Sequence, residues 1–160
     1  MLQVITLISI AVFVAIDQLI KLLVIEHLEP IGSLTLIDGF IQLKYAENTG
    51  AAFGSFSDKT SFLSIFTLVI IIIGIIYLLV KKRKLDVEYV CITLILSGGL
   101  GNLIDRVFRG YVVDYIEPLF IDFAIFNFAD ILVTCSCIVF AFWTIYEIYR
   151  ESKNGKGKER

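Results

Sequence analysis

Apolar residues run nearly unbroken in four places along the chain, each close to the roughly 20 residues that a helix needs to cross a bilayer core. Phe62–Val80 is the cleanest, 19 residues without a charge. The first stretch, about Val4 to Ile25, is interrupted by Asp17 and Lys21. The third contains Tyr89–Ile104 uncharged and then meets Asp105 and Arg106, while the fourth, about Phe123 to Tyr146, holds a single charge at Asp130. The pattern predicts helices at about 4–25, 62–80, 87–106 and 126–146. Loops at about 26–61, 81–86 and 107–125 join them, and a tail at 150–160 follows. No basic residue precedes the first apolar run and no A-x-A-like site follows it, so it reads as a retained helix and not as a cleaved signal peptide.

In the first long loop the period changes. Leu34–Ile37 and Phe40–Tyr45 flank Asp38-Gly39, a hairpin turn signal. Ile41, Leu43 and Tyr45 alternate with Gln42 and Lys44, as a sheet with one apolar face requires. A small amphipathic sheet lying on the outer leaflet is expected.

Composition narrows the class. At 160 residues the chain suits one domain. Its 58% hydrophobic content exceeds the roughly 45–50% of soluble domains, and the mean hydropathy is +0.85. Disorder and collagen-like architecture are excluded by the aliphatic and aromatic excess, and a net charge of −2 gives no case for nucleic acid. The fold class is a mainly α membrane protein: four transmembrane helices with a small extracytoplasmic β-sheet. Lys81, Lys82, Arg83 and Lys84 lie between the second and third segments; Arg150, Lys153, Lys156, Lys158 and Arg160 follow the fourth. Nine of the 14 basic residues thus share one side, which places both termini in the cytoplasm and the two longer loops outside. The basic tail reads as a solvated end touching anionic lipid. A monomer in contact with membrane lipid is expected.

Ionisable residues inside spanning segments are costly and point to function by default. Asp17 and Lys21 stand four apart, acid first, the favourable order for a helical pair. They form either a neutralised brace or part of a site. Asn102, Asp105 and Arg106 share a face at the outer end of the third segment, and Ser97 with Gly101 is a small-xxx-small pair that admits a close helix neighbour. Asp114 sits in Tyr111–Ile116, a β-branched and aromatic run. Asp130 shares a face with Asn127 at the start of the fourth segment, where it is either an acid beside an Asn cap or a catalytic group. Two nearby carboxylates share one proton, and that pair can activate water and polarise a carbonyl. Such chemistry needs neither metal nor cofactor.

Other chemistries fit poorly. His27 is the lone histidine, beside Glu26 and Glu29, and reads as solvated; no G-x-S-x-G elbow is present. The cysteines, Cys91, Cys135 and Cys137, lack metal-ligand spacing and read as small buried apolar residues. Two further classes remain open: a proton-coupled transporter or channel subunit, whose intramembrane acids would relay protons, and a non-enzymatic assembly factor using Gly-lined helices.

Five motifs in order carry a resemblance: Asp17-Gln18-Leu19-Ile20-Lys21, Asn48–Gly54, Gly101–Arg106, Val112-Val113-Asp114 and Phe126–Asp130. From first helix to fourth, the chain resembles the lipoprotein signal peptidase (signal peptidase II) family of bacterial membrane aspartic peptidases. The resemblance implies that Asp114 and Asp130 are the catalytic pair. Asn48, Gly50, Asn102, Arg106 and Asn127 would line the site, with Asp17, Lys21 and Asp105 in support. It implies no cofactor or metal, and a substrate whose cysteine already carries diacylglycerol, cut just before that cysteine. Ser97, Gly99 and Phe128 depart from the commonest family pattern and bear on local packing only. The location implied is the bacterial cytoplasmic membrane, with the active site toward its outer face.

Overall fold

A computed structural model describes residues 2–50, 60–80 and 85–156. Ala51–Gly54 of the second motif, the basic run Lys81–Lys84, and Lys158 and Arg160 lie outside them. The order is α1 (Leu2–Leu23), β1 (Ser33–Ile37), β2 (Ile41–Asn48), α2 (Thr60–Val80), α3 (Val87–Phe108), β3 (Val112–Pro118) and α4 (Phe128–Lys156). The four helices are each long and apolar enough to span a membrane. Their outward side chains are apolar, as lipid solvation requires.

The helical path of α1 does not stop near Ile25. A π turn, Val24–Leu28, and a 3-10 turn, Glu29–Ile31, carry it on until Gly32, at φ +76°, breaks it. Pro30 stands in the first turn of that last piece, where its missing N–H costs nothing. His27 is consequently part of this helical end; it is exposed, with Nδ1 3.1 Å from the Leu23 carbonyl. At the start of α3 the Asp86 carboxylate accepts from Tyr89 N at 2.8 Å, which satisfies a donor the helix cannot. Helix α4 runs past the expected tail boundary, so Arg150 and Lys153 lie on it, the former paired with Glu147 at 2.8 Å.

The hairpin forms as the turn signal requires, with Gly39 at φ +68° and Phe40 N donating to Ile37 O at 3.0 Å. The Tyr111–Ile116 run supplies a third strand: β3 pairs antiparallel with β2, setting Ala46 opposite Asp114 and Asn48 opposite Val112. Leu43 and Tyr45 face a cluster of Val24, Leu28, Val113 and Tyr115, so this apolar face seats the sheet on the end of α1. Strand β1 leaves Leu34, Leu36 and Ile37 48%, 54% and 57% exposed.

A second cluster, Ile10, Ile71, Leu78, Tyr89, Leu96 and Leu103, holds α1, α2 and α3 together. Helices α3 and α4 meet most closely at Gly98, where a Cβ would lie 2.4 Å from the Ala129 carbonyl. The close approach of α4 therefore falls on Gly98, while Gly101 makes room for the Asp17 carboxylate of α1, 2.5 Å from where its Cβ would lie. Ser97 instead is buried with its hydroxyl donating back to Thr93 O at 2.8 Å. The cysteines also divide differently from the sequence reading. Cys91 is buried, but Cys135 and Cys137 are exposed, because α4 packs mainly on α3 and turns its remaining faces outward.

Candidate active site

The site residues named from the sequence, Asp17, Lys21, Asn48, Gly50, Asn102, Asp105, Arg106, Asp114, Asn127 and Asp130, converge at the sheet-bearing end of the bundle. Asp114 lies mid-strand in β3, and the register with β2 delivers Asn48 to it: Asn48 Nδ2 donates to Asp114 Oδ2 at 2.9 Å. Asp130 reaches the same place from the first turn of α4. An antiparallel bridge between Ile116 and Phe126 fixes the start of that helix against β3.

Asn127 is the N-cap of α4, and its cap bonds are reciprocal. Its Oδ1 accepts from Asp130 N at 3.0 Å, and its backbone N–H donates to Asp130 Oδ2 at 3.1 Å. The capping reading of Asp130 is thus real, and it coexists with a place in the site. The same Asn127 sends Nδ2 to Asp114 Oδ1 at 2.6 Å and to Asn102 Oδ1 at 3.1 Å. Asn102 in turn donates Nδ2 to Asp130 Oδ1 at 2.8 Å.

Each of these three amides has its oxygen held by a donor: Gly50 N for Asn48, Asp130 N for Asn127, and Lys21 Nζ for Asn102. Their NH2 groups are thereby turned toward the carboxylates, Asn127 sharing its own with Asn102 Oδ1. As a result every oxygen of Asp114 and Asp130 receives one N–H bond. Among the described residues no further donor reaches them, which leaves the remaining lone pairs for a shared proton or a water.

Behind the pair lies an ionic cluster. Lys21, fully buried, sends its three donors to Asp17 Oδ2, Asp105 Oδ2 and Asn102 Oδ1, each at 2.9 Å. Asp17 Oδ1 accepts from Ala129 N on α4, and Asp105 Oδ2 from Val113 N on β3, both at 3.2 Å. The pair expected within α1 is therefore a brace tying α1 to α3, α4 and the sheet. Two members were not assigned from the sequence. Arg109 pairs with Asp105 and also donates to Gln18 Oε1 at 3.1 Å; Gln18 Nε2 bonds Gly101 O and Asp105 Oδ1, each at 3.1 Å. The i,i+4 spacing of Asp105 and Arg109 was a usable signal. Gln18 stood in the Asp17–Lys21 motif, but being uncharged it drew no assignment of its own.

The charges do not cancel. Asp17, Asp105, Asp114 and Asp130 face Lys21, Arg106 and Arg109, leaving the cluster one proton short of neutrality. The shortage is felt at Asp114. Burial first, and the Asp130 charge second, push its carboxyl up to about 6, against the opposing pull of Asn48, Asn127 and Lys21.

Arg106 donates to Gly50 O at 3.3 Å, and its Nε is buried without a partner among the described residues. Beside it opens a cleft of about 330 Å³, in which Asn48, Arg106 and Asp130 form the polar end and Phe123, Phe126 and Ile131 the apolar wall. The aromatic wall was not singled out from the sequence. Among the described residues no three His, Cys, Asp or Glu side chains are grouped to hold a metal ion.

Fold and site together define a multi-pass membrane enzyme. Two solved structures described as bacterial membrane enzymes superpose with TM-scores of 0.77 and 0.75 at 33% and 34% identity. The first covers 93% of this chain and 90% of its own, the second 87% and 91%. The family model for signal peptidase (SPase) II matches residues 9–146, and the chain belongs to that family. It is 39% identical over 141 residues to a lipoprotein signal peptidase of Caldanaerobacter subterraneus, covering 88% of this chain and 96% of that one. A lipoprotein signal peptidase of Clostridium acetobutylicum is 36% identical over 150 residues, covering 92% and 96%.

Proposed function

We propose that this protein is an aspartic endopeptidase that removes the signal peptide from diacylglyceryl-modified prolipoproteins, cutting just before the lipidated cysteine. The observation that carries this reading is the donor set around the two carboxylates, which supports one ionised and one protonated acid side by side. Asp130, which lines the cleft, takes a proton from water as the water oxygen attacks the scissile carbonyl carbon. Asp114, the more buried acid, gives the shared proton to the carbonyl oxygen. When the tetrahedral species collapses, the peptide C–N bond breaks and the leaving nitrogen takes up the proton held by Asp130. The proton on the former carbonyl oxygen returns to Asp114. Water is consumed and the pair ends as it began. Arg106, which lines the cleft, holds a substrate carbonyl through a guanidinium N–H.

The positions of the acids favour this over a proton-coupled transporter. Asp17, Asp105, Asp114 and Asp130 gather at one end of the bundle and do not track across it. With both termini cytoplasmic, that end meets the outer leaflet, where a lipid-anchored cysteine presents its cleavage site. The exposed β1 residues and Phe40, stacked on Phe120 at 4.7 Å, rest in the same leaflet. The test is cleavage of a lipidated precursor in cells lacking their own such peptidase. Precursor accumulating despite good expression of this chain would sink the proposal.

Two further outcomes follow. Because kcat/KM reports the free enzyme, its alkaline limb falls as pH rises past about 6, where Asp114 loses the shared proton. A pH series with a fluorescent lipopeptide in detergent measures it, and a flat profile from pH 5 to 8 would contradict it. Removing the whole hairpin would remove Asn48 and the partner of β3, so contact with the leaflet is better tested on β1 alone. Leu34→Ser with Leu36→Ser is expected to slow cleavage about 10-fold in vesicles and to leave it unchanged in detergent, since only apolar contact with lipid is lost.

A further inference from the structure

Asn102 Oδ1 has two lone pairs, and both are taken, by Lys21 Nζ at 2.9 Å and by Asn127 Nδ2 at 3.1 Å. If the amide turned over, its NH2 would face two donors and its oxygen would face the Asp130 carboxylate. Of the two donors, Lys21 is the charged one. It is wholly buried, all three of its protons are committed, and it touches neither the cleft nor either acid of the pair. Its positive charge sits at the oxygen end of an amide whose other end donates to Asp130 Oδ1 at 2.8 Å. The cation therefore polarises that N–H toward the carboxylate.

We propose that Lys21 is a positioning residue: through Asn102 it dictates which atom meets Asp130 and so stabilises the ionised form of that acid during water activation. The proposal rests on Asp114 and Asp130 being the catalytic pair. It assigns Lys21 a second role beside the brace. Asp17 and Asp105 explain why a cation is buried here, but they do not require its third proton to reach Asn102.

The test is a double-mutant cycle. Lys21→Met alone would strand two buried acids, so Asp17→Asn is introduced with it. One acid and one base then leave together, and Asp105 keeps Arg109 and Gln18. Size-exclusion chromatography and thermal melting in detergent confirm that the double variant is folded. In the otherwise native chain this double change is expected to lower kcat about 10- to 100-fold, the worth of one hydrogen bond to a charged group. In an Asn102→Ala background the same change should cost less than about 3-fold, because the route to Asp130 is already cut. A second reading separates positioning from bracing. Asp130 is faced by Arg106 of α3, Asp114 of β3 and, through Asn102, Lys21 of α1. Losing the last contribution should lower kcat and leave KM unchanged, whereas a weaker brace, which also seats the cleft, should move both.

Equal fold-losses in both backgrounds would overturn the proposal, as would an Asn102→Ala variant that cleaves at the native rate. Failure of the underlying reading shows separately: Asp114→Asn and Asp130→Asn would then both retain cleavage.

Discussion

Asp130→Asn is expected to lower cleavage of lipidated precursor by about 10⁴-fold or more, and Asp114→Asn by a similar factor, the scale seen when one member of a catalytic unit is removed. Both variants should remain folded. Asn is nearly isosteric with Asp, and at position 130 an amide oxygen can still accept from Asn127 N to preserve the cap. The two losses should not multiply, because either substitution alone destroys the shared proton. Single-turnover cleavage of the purified variants measures the effect, and residual activity within about 100-fold of native would show that the pair does not carry the reaction.

Gly98→Val should be nearly as damaging, by a different route. Its Cβ would lie 2.4 Å from the Ala129 carbonyl oxygen and 2.8 Å from Val133 Cγ2. The carbonyl belongs to helical backbone and cannot yield, so α3 and α4 must part. Asn102 is one turn along α3 and Asp130 is next to Ala129, so the 2.8 Å bond between them is what the separation breaks. A displacement of about 1 Å in a catalytic group costs on the order of 100-fold in rate. Activity and melting temperature are both expected to fall. Gly99→Ala is the matched control: its Cβ would meet only Ile71 and Thr67 side chains at 3.8–3.9 Å, ordinary contact. If the two variants behave alike, the close crossing at Gly98 does not set the site.

How much of this was visible in the sequence depends on dielectric contrast. In a chain of apolar segments each ionisable group is conspicuous, and Asp17, Lys21, Asp105, Arg106, Asp114 and Asp130 could all be singled out before any contact was known. The helix-period spacing of Asn102, Asp105 and Arg106 and the Asp38-Gly39 turn were equally legible, because both are local. What stayed hidden was set by tertiary contact. That Asn127 joins Asp114 to Asn102 is a meeting of strand and two helices, which no spacing encodes. The Gln18–Arg109 bond spans 91 residues. The exposure of Cys135 and Cys137 follows from α4 packing mainly on one neighbour, and hydropathy cannot distinguish a lipid-facing residue from a core one, since both are apolar.

Asn127 caps α4 with one end of its side chain and orders the carboxylate pair with the other. The first turn of that helix and the reactive geometry therefore cannot come apart independently. Fraying at a helix terminus, the lowest-energy opening available to most proteins, would here cost the site its order while the rest of the bundle stayed intact. Melting of that single turn would disorder both acids at once. The short Ile116–Phe126 bridge just ahead of it holds the start of the turn against β3.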